Sequence, residues 1–200
     1  MATVTIPATG QTLTDQAEIA AVLAPMGIWH ERWDVEGRIG PEADAEQILA
    51  AYAPEIERLK REGNYVTADV INVTPDTPGL ETMLARFDKE HTHSEDEVRF
   101  TVRGGGVFWI HPEGDGPVVA IEVGAGDLIN VPAGTKHWFH LCDDRTIRCI
   151  RLFQETSGWT PEYIDEGLHS EHPPVCWGPR YLGGDSVRGT SDPIDSPVKL

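Results

Sequence analysis

The sequence predicts a mainly β chain, an antiparallel sandwich or barrel, preceded by α-helices. Three observations carry that expectation. About eight short runs rich in Val, Ile, Phe and Trp follow residue 65, breakers separate many of them at roughly 8–12-residue spacing, and the first third has a helical period instead. Taken in order, Asp15 to Ala24 is compact and Ala-rich and predicts a helix, with Gly27 as its stop. Trp29, Trp33 and Val35 alternate as a short strand does. Asp44 to Gly63 sets Ile48, Leu49, Tyr52, Ile56 and Leu59 along one stripe of a second helix, which Pro54 should kink or split and Gly63 should cap.

Strands are expected near Val66–Val73, Thr82–Phe87, Glu97–Arg103, Val107–His111, Val118–Val123, Leu128–Val131, His137–Leu141 and Thr146–Phe153. The breakers are Gly104-Gly105-Gly106, Glu113-Gly114-Asp115-Gly116, Gly124-Ala125-Gly126 and Pro132-Ala133-Gly134. The glycine triplet precedes a strand and not a helix, so it reads as a hairpin turn and not as a phosphate loop. After Phe153 the chain turns irregular, with a short helix expected at Pro161–Glu166. The segment 183–200, rich in Gly, Ser, Asp and Pro, fits a loosely attached tail. No internal repeat is visible. The expected organisation is a single domain over 1–200, with a helical N-terminal extension over 1–64, a barrel core over 65–155 and an irregular tail over 183–200.

Lys and Arg total 16 against 33 Asp and Glu, a formal charge of -17 that repels nucleic acid and anionic membranes and mildly favours a monomer. No apolar run approaches the roughly 20 residues that span a bilayer. The segment Met1–Pro7 lacks a basic stretch followed by an apolar core, so a cytoplasmic location is expected. Cys142, Cys149 and Cys176 match no zinc-ribbon spacing and read as free thiols in a reducing compartment.

Chemistry concentrates in two runs. His91, His93 and Glu97 lie in Glu90-His91-Thr92-His93-Ser94-Glu95-Asp96-Glu97-Val98-Arg99-Phe100, and His137 closes Gly126-Asp127-Leu128-Ile129-Asn130-Val131-Pro132-Ala133-Gly134-Thr135-Lys136-His137. Strand alternation points His91 and His93 the same way and puts Glu97, Arg99 and Thr101 on one face, with Val98, Phe100 and Val102 on the other. A face bearing a carboxylate and a guanidinium beside two histidines predicts a polar cavity inside a barrel. Neutral imidazoles plus one carboxylate form a ligand set for iron, nickel, manganese, cobalt or zinc. Three His and one Glu leave two positions of a six-coordinate ion open, which suits a bidentate oxygen chelator such as an enediol. His30, His111, His140, His169 and His172 read as surface or satisfied histidines.

These residues resemble the two motifs of the cupin superfamily, and more narrowly the acireductone dioxygenase family. In the form G-x5-H-x-H-x3,4-E-x6-G, His91, His93, Glu97 and Gly104 fit and Ala85 replaces the leading glycine. In G-x5-P-x-G-x2-H-x3-N, Gly126, Pro132, Gly134 and His137 fit and Leu141 replaces the final Asn. The narrower likeness adds Val131–Phe139, Ile150–Phe153 and the helix Ala51–Lys60, and spans roughly residues 20 to 180.

The resemblance implies a double-stranded β-helix (jelly-roll) barrel and an enzyme of methionine salvage. Such an enzyme oxidises 1,2-dihydroxy-3-keto-5-methylthiopentene with O2. With Fe(II) it gives the 2-keto acid precursor of methionine and formate; with Ni(II) it gives methylthiopropionate, formate and carbon monoxide. By the same resemblance the metal ligands are His91, His93, Glu97 and His137, and Arg99 favours the substrate dianion. The alternative role for Arg99 is a salt bridge that neutralises Glu97. Phe87, Phe139 and Trp159 line the methylthio pocket or serve as ordinary packing. Arg151 joins the positive pocket or forms a structural pair. Glu90 and Asp96 match positions tied to metal loading and conformational relay, or belong to an acidic solvated loop. Two other readings share the ligand frame: another cupin enzyme, such as an isomerase or a different dioxygenase, and a non-catalytic cupin that binds metal or a small ligand.

Overall fold

The computed structural model describes residues 1–155, 159–165, 167–172 and 176. The expected tail at 183–200 lies outside them. The elements are β1 (Thr3–Ile6), β2 (Gln11–Leu13), α1 (Gln16–Leu23), β3 (Trp29–Arg32), α2 (Ala45–Ala51), α3 (Ala53–Gly63), β4 (Thr67–Val73), α4 (Leu80–Leu84), β5 (His91–Thr92), β6 (Glu97–His111), β7 (Val119–Gly124), β8 (Asp127–Val131), β9 (Lys136–Leu141), β10 (Ile147–Phe153) and β11 (Glu162–Tyr163). Among the described residues every strand pairing is antiparallel.

Two sheets share β6. Its first half pairs with β10 and β8, and this sheet is completed by β4 beyond β10 and β3 beyond β8. Its second half pairs with β7 and β9, in the order β11-β5-β9-β6-β7-β1-β2. The residues expected to turn a hairpin, Gly104-Gly105-Gly106, instead bend one long strand from one sheet into the other, where a glycine marks a barrel corner. Gly104 has φ +74, and a Cβ there would lie 1.9 Å from the Thr146 carbonyl oxygen. A Cβ on Gly106 would lie 2.2 Å from the Phe139 ring.

Alternation sorts the side chains of β6 as expected. Val98, Phe100 and Val102 face outward and pack with Leu128, Ile150 and Leu152 against Ile48, Tyr52, Ile56 and Leu59 of the helices. The barrel interior holds Phe108, Ile110, Ile121, Val123, Ile129, Val131, Phe139 and Cys149. A third cluster, Val107, Trp109, Val118, Ala120 and Trp138, covers the outer face of the other sheet, with Leu168 and Cys176 laid on it.

The helical first third follows the sequence in outline. Asp15 caps α1 by accepting from the Ala17 and Glu18 amides, and Asp44 and Gln47 form a capping box on α2. Pro54 sits in the first turn of α3, so the expected long helix splits at Tyr52. Asn64, with φ 56, takes the left-handed cap position expected of Gly63.

Four expectations are corrected. Thr82–Phe87 is not a strand: Leu80, Met83, Leu84 and Phe87 recur at helical spacing and pack on the barrel core around α4. The helix expected at Pro161–Glu166 is absent over residues 161–165, because Glu162–Tyr163 pairs with β5; Glu166 lies outside the described residues. The N-terminal region carries the hairpin β1–β2, whose first strand extends the sheet at β7, so it is not purely helical. Finally, Cys142 and Cys176 are not free thiols. They form a disulfide with Cα atoms 5.8 Å apart, and Cys149 alone remains free, inside the barrel. No helix among the described residues is long and apolar enough to cross a membrane.

Candidate metal centre and active site

Three strands and one loop deliver four ligating side chains to one buried point. β5 supplies His91, the loop after it His93, the start of β6 Glu97, and the start of β9 His137, whose register partner is His91. One ligand atom from each lies within 4.8 Å of the other three, and all four residues are buried.

The tautomers are determined by the backbone. His91 Nδ1 donates to Lys89 O at 2.6 Å, His93 Nδ1 to Thr160 O at 3.1 Å and His137 Nδ1 to Thr135 O at 2.8 Å. A carbonyl oxygen can only accept, so each Nδ1 carries the proton and each Nε2 presents a lone pair. Those lone pairs converge on Glu97: His93 Nε2 is 3.1 Å and His137 Nε2 3.3 Å from its Oε2. The Nε2 atoms of His91 and His93 are buried without a hydrogen-bond partner. Three lone pairs and a carboxylate facing one another repel unless a cation lies among them, so the residues fit a divalent transition ion.

Burial pushes the His91 imidazole down to about 4, helped by the neighbouring His137. For Glu97 burial works upward, but the Arg99 guanidinium outweighs it and holds the carboxyl well below the usual range. Arg99 Nε lies 2.6 Å from Glu97 Oε1, an ion-pair approach without the alignment of a hydrogen bond. The guanidinium is ringed by aromatic faces, with centroids of Phe139 at 5.1 Å, Trp159 at 5.3 Å, Phe108 at 5.5 Å and Phe87 at 5.6 Å. Phe108 was missed in the sequence. Its signal is the cross-strand register with Phe139, which alternation alone does not show.

Residues 10–161 match the model of the ARD/ARD' family. The chain is 43% identical over 163 residues to an acireductone dioxygenase of Stutzerimonas stutzeri, covering 82% of this chain and 89% of that protein. It is 44% identical over 155 residues to one of Methylococcus capsulatus, covering 78% and 82%. The chain belongs to the acireductone dioxygenase family. A solved acireductone dioxygenase of Bacillus anthracis, with a cadmium ion in its active centre, superposes with a TM-score of 0.77 at 35% identity, covering 82% of this chain and 98% of that one. The protein is thus a cupin-fold, metal-dependent dioxygenase.

Around the ligands, this acireductone dioxygenase family member carries a frame of carboxylates that the sequence showed only in part. Glu90, fully buried, accepts from His111 Nδ1 and from the Leu168 amide, while its carbonyl accepts from Ile164 N. Asp96 accepts from the Ala133 amide at 3.0 Å and from Tyr65 OH at 3.2 Å, and its carbonyl accepts from Trp159 Nε1 at 3.1 Å. Neither is part of a merely solvated loop. Glu95, which the sequence gave no reason to single out, accepts from the Gln154 and Glu155 amides. Trp159 stacks on His93 with centroids 6.1 Å apart. Phe87 is tied to the same wall through its carbonyl, which accepts from Phe139 N at 2.8 Å. Arg151 stands opposite Arg99 in register, but its guanidinium is engaged twice by Asp69, at 2.8 and 2.5 Å, and lies over Phe153 and Trp159. Of its two expected roles, the structural pair is the one present.

Proposed function

We propose that this enzyme cleaves 1,2-dihydroxy-3-keto-5-methylthiopentene with O2 in methionine salvage, with one Fe(II) or Ni(II) per chain held by His91, His93, Glu97 and His137. The observation that supports this most is the convergence of three Nε2 lone pairs and one carboxylate within 4.8 Å, each imidazole locked by a carbonyl. When bound, the ion supplies Lewis acidity toward an oxygen chelator and a partner for O2 chemistry.

The chain's own groups do the rest. Arg99, a permanent cation beside Glu97, lowers the pKa of a nearby enediol by favouring its charged form. Phe87, Phe139 and Trp159 exclude water and pack an apolar methylthio tail. Arg151, paired with Asp69, braces Trp159 from behind and adds no net charge to the pocket. Glu90 and Asp96 hold the ligand-bearing loop in register with the segments that cover it, a positioning role suited to ion loading and relay. No side chain has to act as a nucleophile, because protein electrostatics stabilise the ionised substrate.

The expected products are 4-methylthio-2-oxobutanoate and formate with Fe(II), and 3-methylthiopropanoate, formate and CO with Ni(II). The same reading places a monomer in the cytoplasm, with small-molecule partners and neither nucleic acid nor membrane. Oxygen uptake on mixing metal-loaded protein with the acireductone in air-saturated buffer, with anaerobic mixing as the control, tests it. Wild type consumes O2, His91→Ala loses uptake at least a thousandfold, and metal analysis with CO detection reports which ion acts. Full metal content with no uptake by the wild type overturns the proposal.

A further inference from the structure

The disulfide joins two places with different jobs. Cys142 follows β9, the strand that begins next to His137, and its amide donates to Gly105 O at the barrel corner. Cys176 lies C-terminal to residues 159–165 and 167–172, which pass over the metal centre, and beyond the span that the family match covers. Several attachments of this segment's described residues reach the ligand-bearing loop. Trp159 Nε1 donates to Asp96 O, Thr160 O accepts from His93 Nδ1, Tyr163 pairs with His91, and the Ile164 and Leu168 amides reach Glu90. His172 then lies over Trp109 and Trp138, at 5.1 and 5.8 Å between centroids.

These attachments are individually weak. β11 is two residues long, at a sheet edge, with Tyr163 49% exposed, and short edge pairings open readily. A covalent tie at Cys142 keeps the segment at high effective concentration over its docking site. The bridge spans 34 positions, so its loss frees the far end of the whole segment. Both bridged cysteines are only partly buried, and so within reach of small thiols, whereas Cys149 is enclosed in the barrel.

We propose that Cys142 and Cys176 are a reversible dithiol–disulfide site, read by low-molecular-weight thiols, that sets how tightly residues 159–165 and 167–172 are held over the metal centre. In the reductive direction a small-molecule thiolate attacks one Sγ. The S–S bond breaks, a mixed disulfide forms, and the other cysteine leaves as a thiolate and takes a proton. A second small thiolate attacks the mixed disulfide, releasing the remaining cysteine and the small disulfide. Two electrons and two protons pass to the protein, and two small thiols are oxidised. The released segment takes with it the Thr160 carbonyl that orients His93 and the indole that covers it.

The test uses the full chain without metal, air-oxidised or reduced with a phosphine, and needs no oxygen-uptake assay, so its failure is distinct from failure of the dioxygenase reading. Under native conditions iodoacetamide should leave the oxidised protein unlabelled and add two labels to the reduced protein. Amide exchange at Ile164 and Leu168 should rise at least tenfold on reduction while β10 stays protected. Cys142→Ser and Cys176→Ser should each exchange as the reduced form does, with or without phosphine. Two labels on the oxidised protein, or equal exchange in both forms, overturns the proposal.

Discussion

His91 is the ligand most constrained by its surroundings. Its Nδ1 is committed to Lys89 O, its Nε2 faces two other imidazoles, and burial followed by the proximity of His137 takes its pKa to about 4. For a base with a folded pKa below its unfolded value near 6.5, the unfolded chain binds more protons between the two. His91 therefore contributes stability fully above about pH 6.5 and loses it as pH falls toward 4. Nitrogen NMR of metal-free protein should show its Nε2 resonance unchanged from pH 8 to pH 5; an inflection near 6.5 would contradict this. The four ligands were legible because i, i+2 alternation and loop spacing are local properties of the sequence. Glu95 was not. In Glu95-Asp96-Glu97 all three carboxylates look alike, and what separates them is a partner 59 positions away, the Gln154 amide.

At the level of elements, β6 controls the architecture. It carries Glu97 and Arg99 in one sheet and Phe108 in the other, so the bend at its glycines sets how the ion site faces the aromatic wall. Gly104→Ala should destabilise the protein by more than about 2 kcal/mol, because it combines a left-handed φ with a backbone oxygen that has no flexible end to move. A lower urea midpoint would show it; an unchanged midpoint would mean that the corner tolerates a side chain. Local sequence could not distinguish this bend from a hairpin turn. Three glycines allow either, and the choice is made by β7, β9 and β10 pairing on both sides of them. The split at Pro54 was legible because proline acts on its own helix. By contrast α4 was read with the wrong period, since Thr82–Phe87 is too short to separate two from 3.6.

Across the whole molecule, the helical first third is fastened to the barrel through Asp127. This buried carboxylate meets His30 Nε2 at 2.9 Å, Arg32 at 2.7 Å and the Gly124 amide at 2.9 Å. Burial works to raise its pKa, yet the His30 and Gly124 hydrogen bonds outweigh that and lower it. A depressed carboxyl pKa gives stability that is complete above about pH 3.9 and is lost as pH falls through the folded value. Asp127→Asn should cost about 3 kcal/mol at pH 7 and flatten the acid limb of the stability curve, as thermal melts from pH 7 to pH 3 would show. Equal acid limbs would sink this assignment. The fastening was invisible in sequence, as were the hairpin at β7 and the return of Tyr163 to His91, because each joins distant segments. The chain as a whole carries a charge of -17, yet the metal centre itself takes the opposite sign once an ion is bound. A divalent ion beside Glu97 and Arg99 leaves two uncompensated positive charges in an enclosed barrel. Local electroneutrality is then restored only by a doubly negative occupant. Selection by charge is made deep inside the protein, where the salt of the medium screens little.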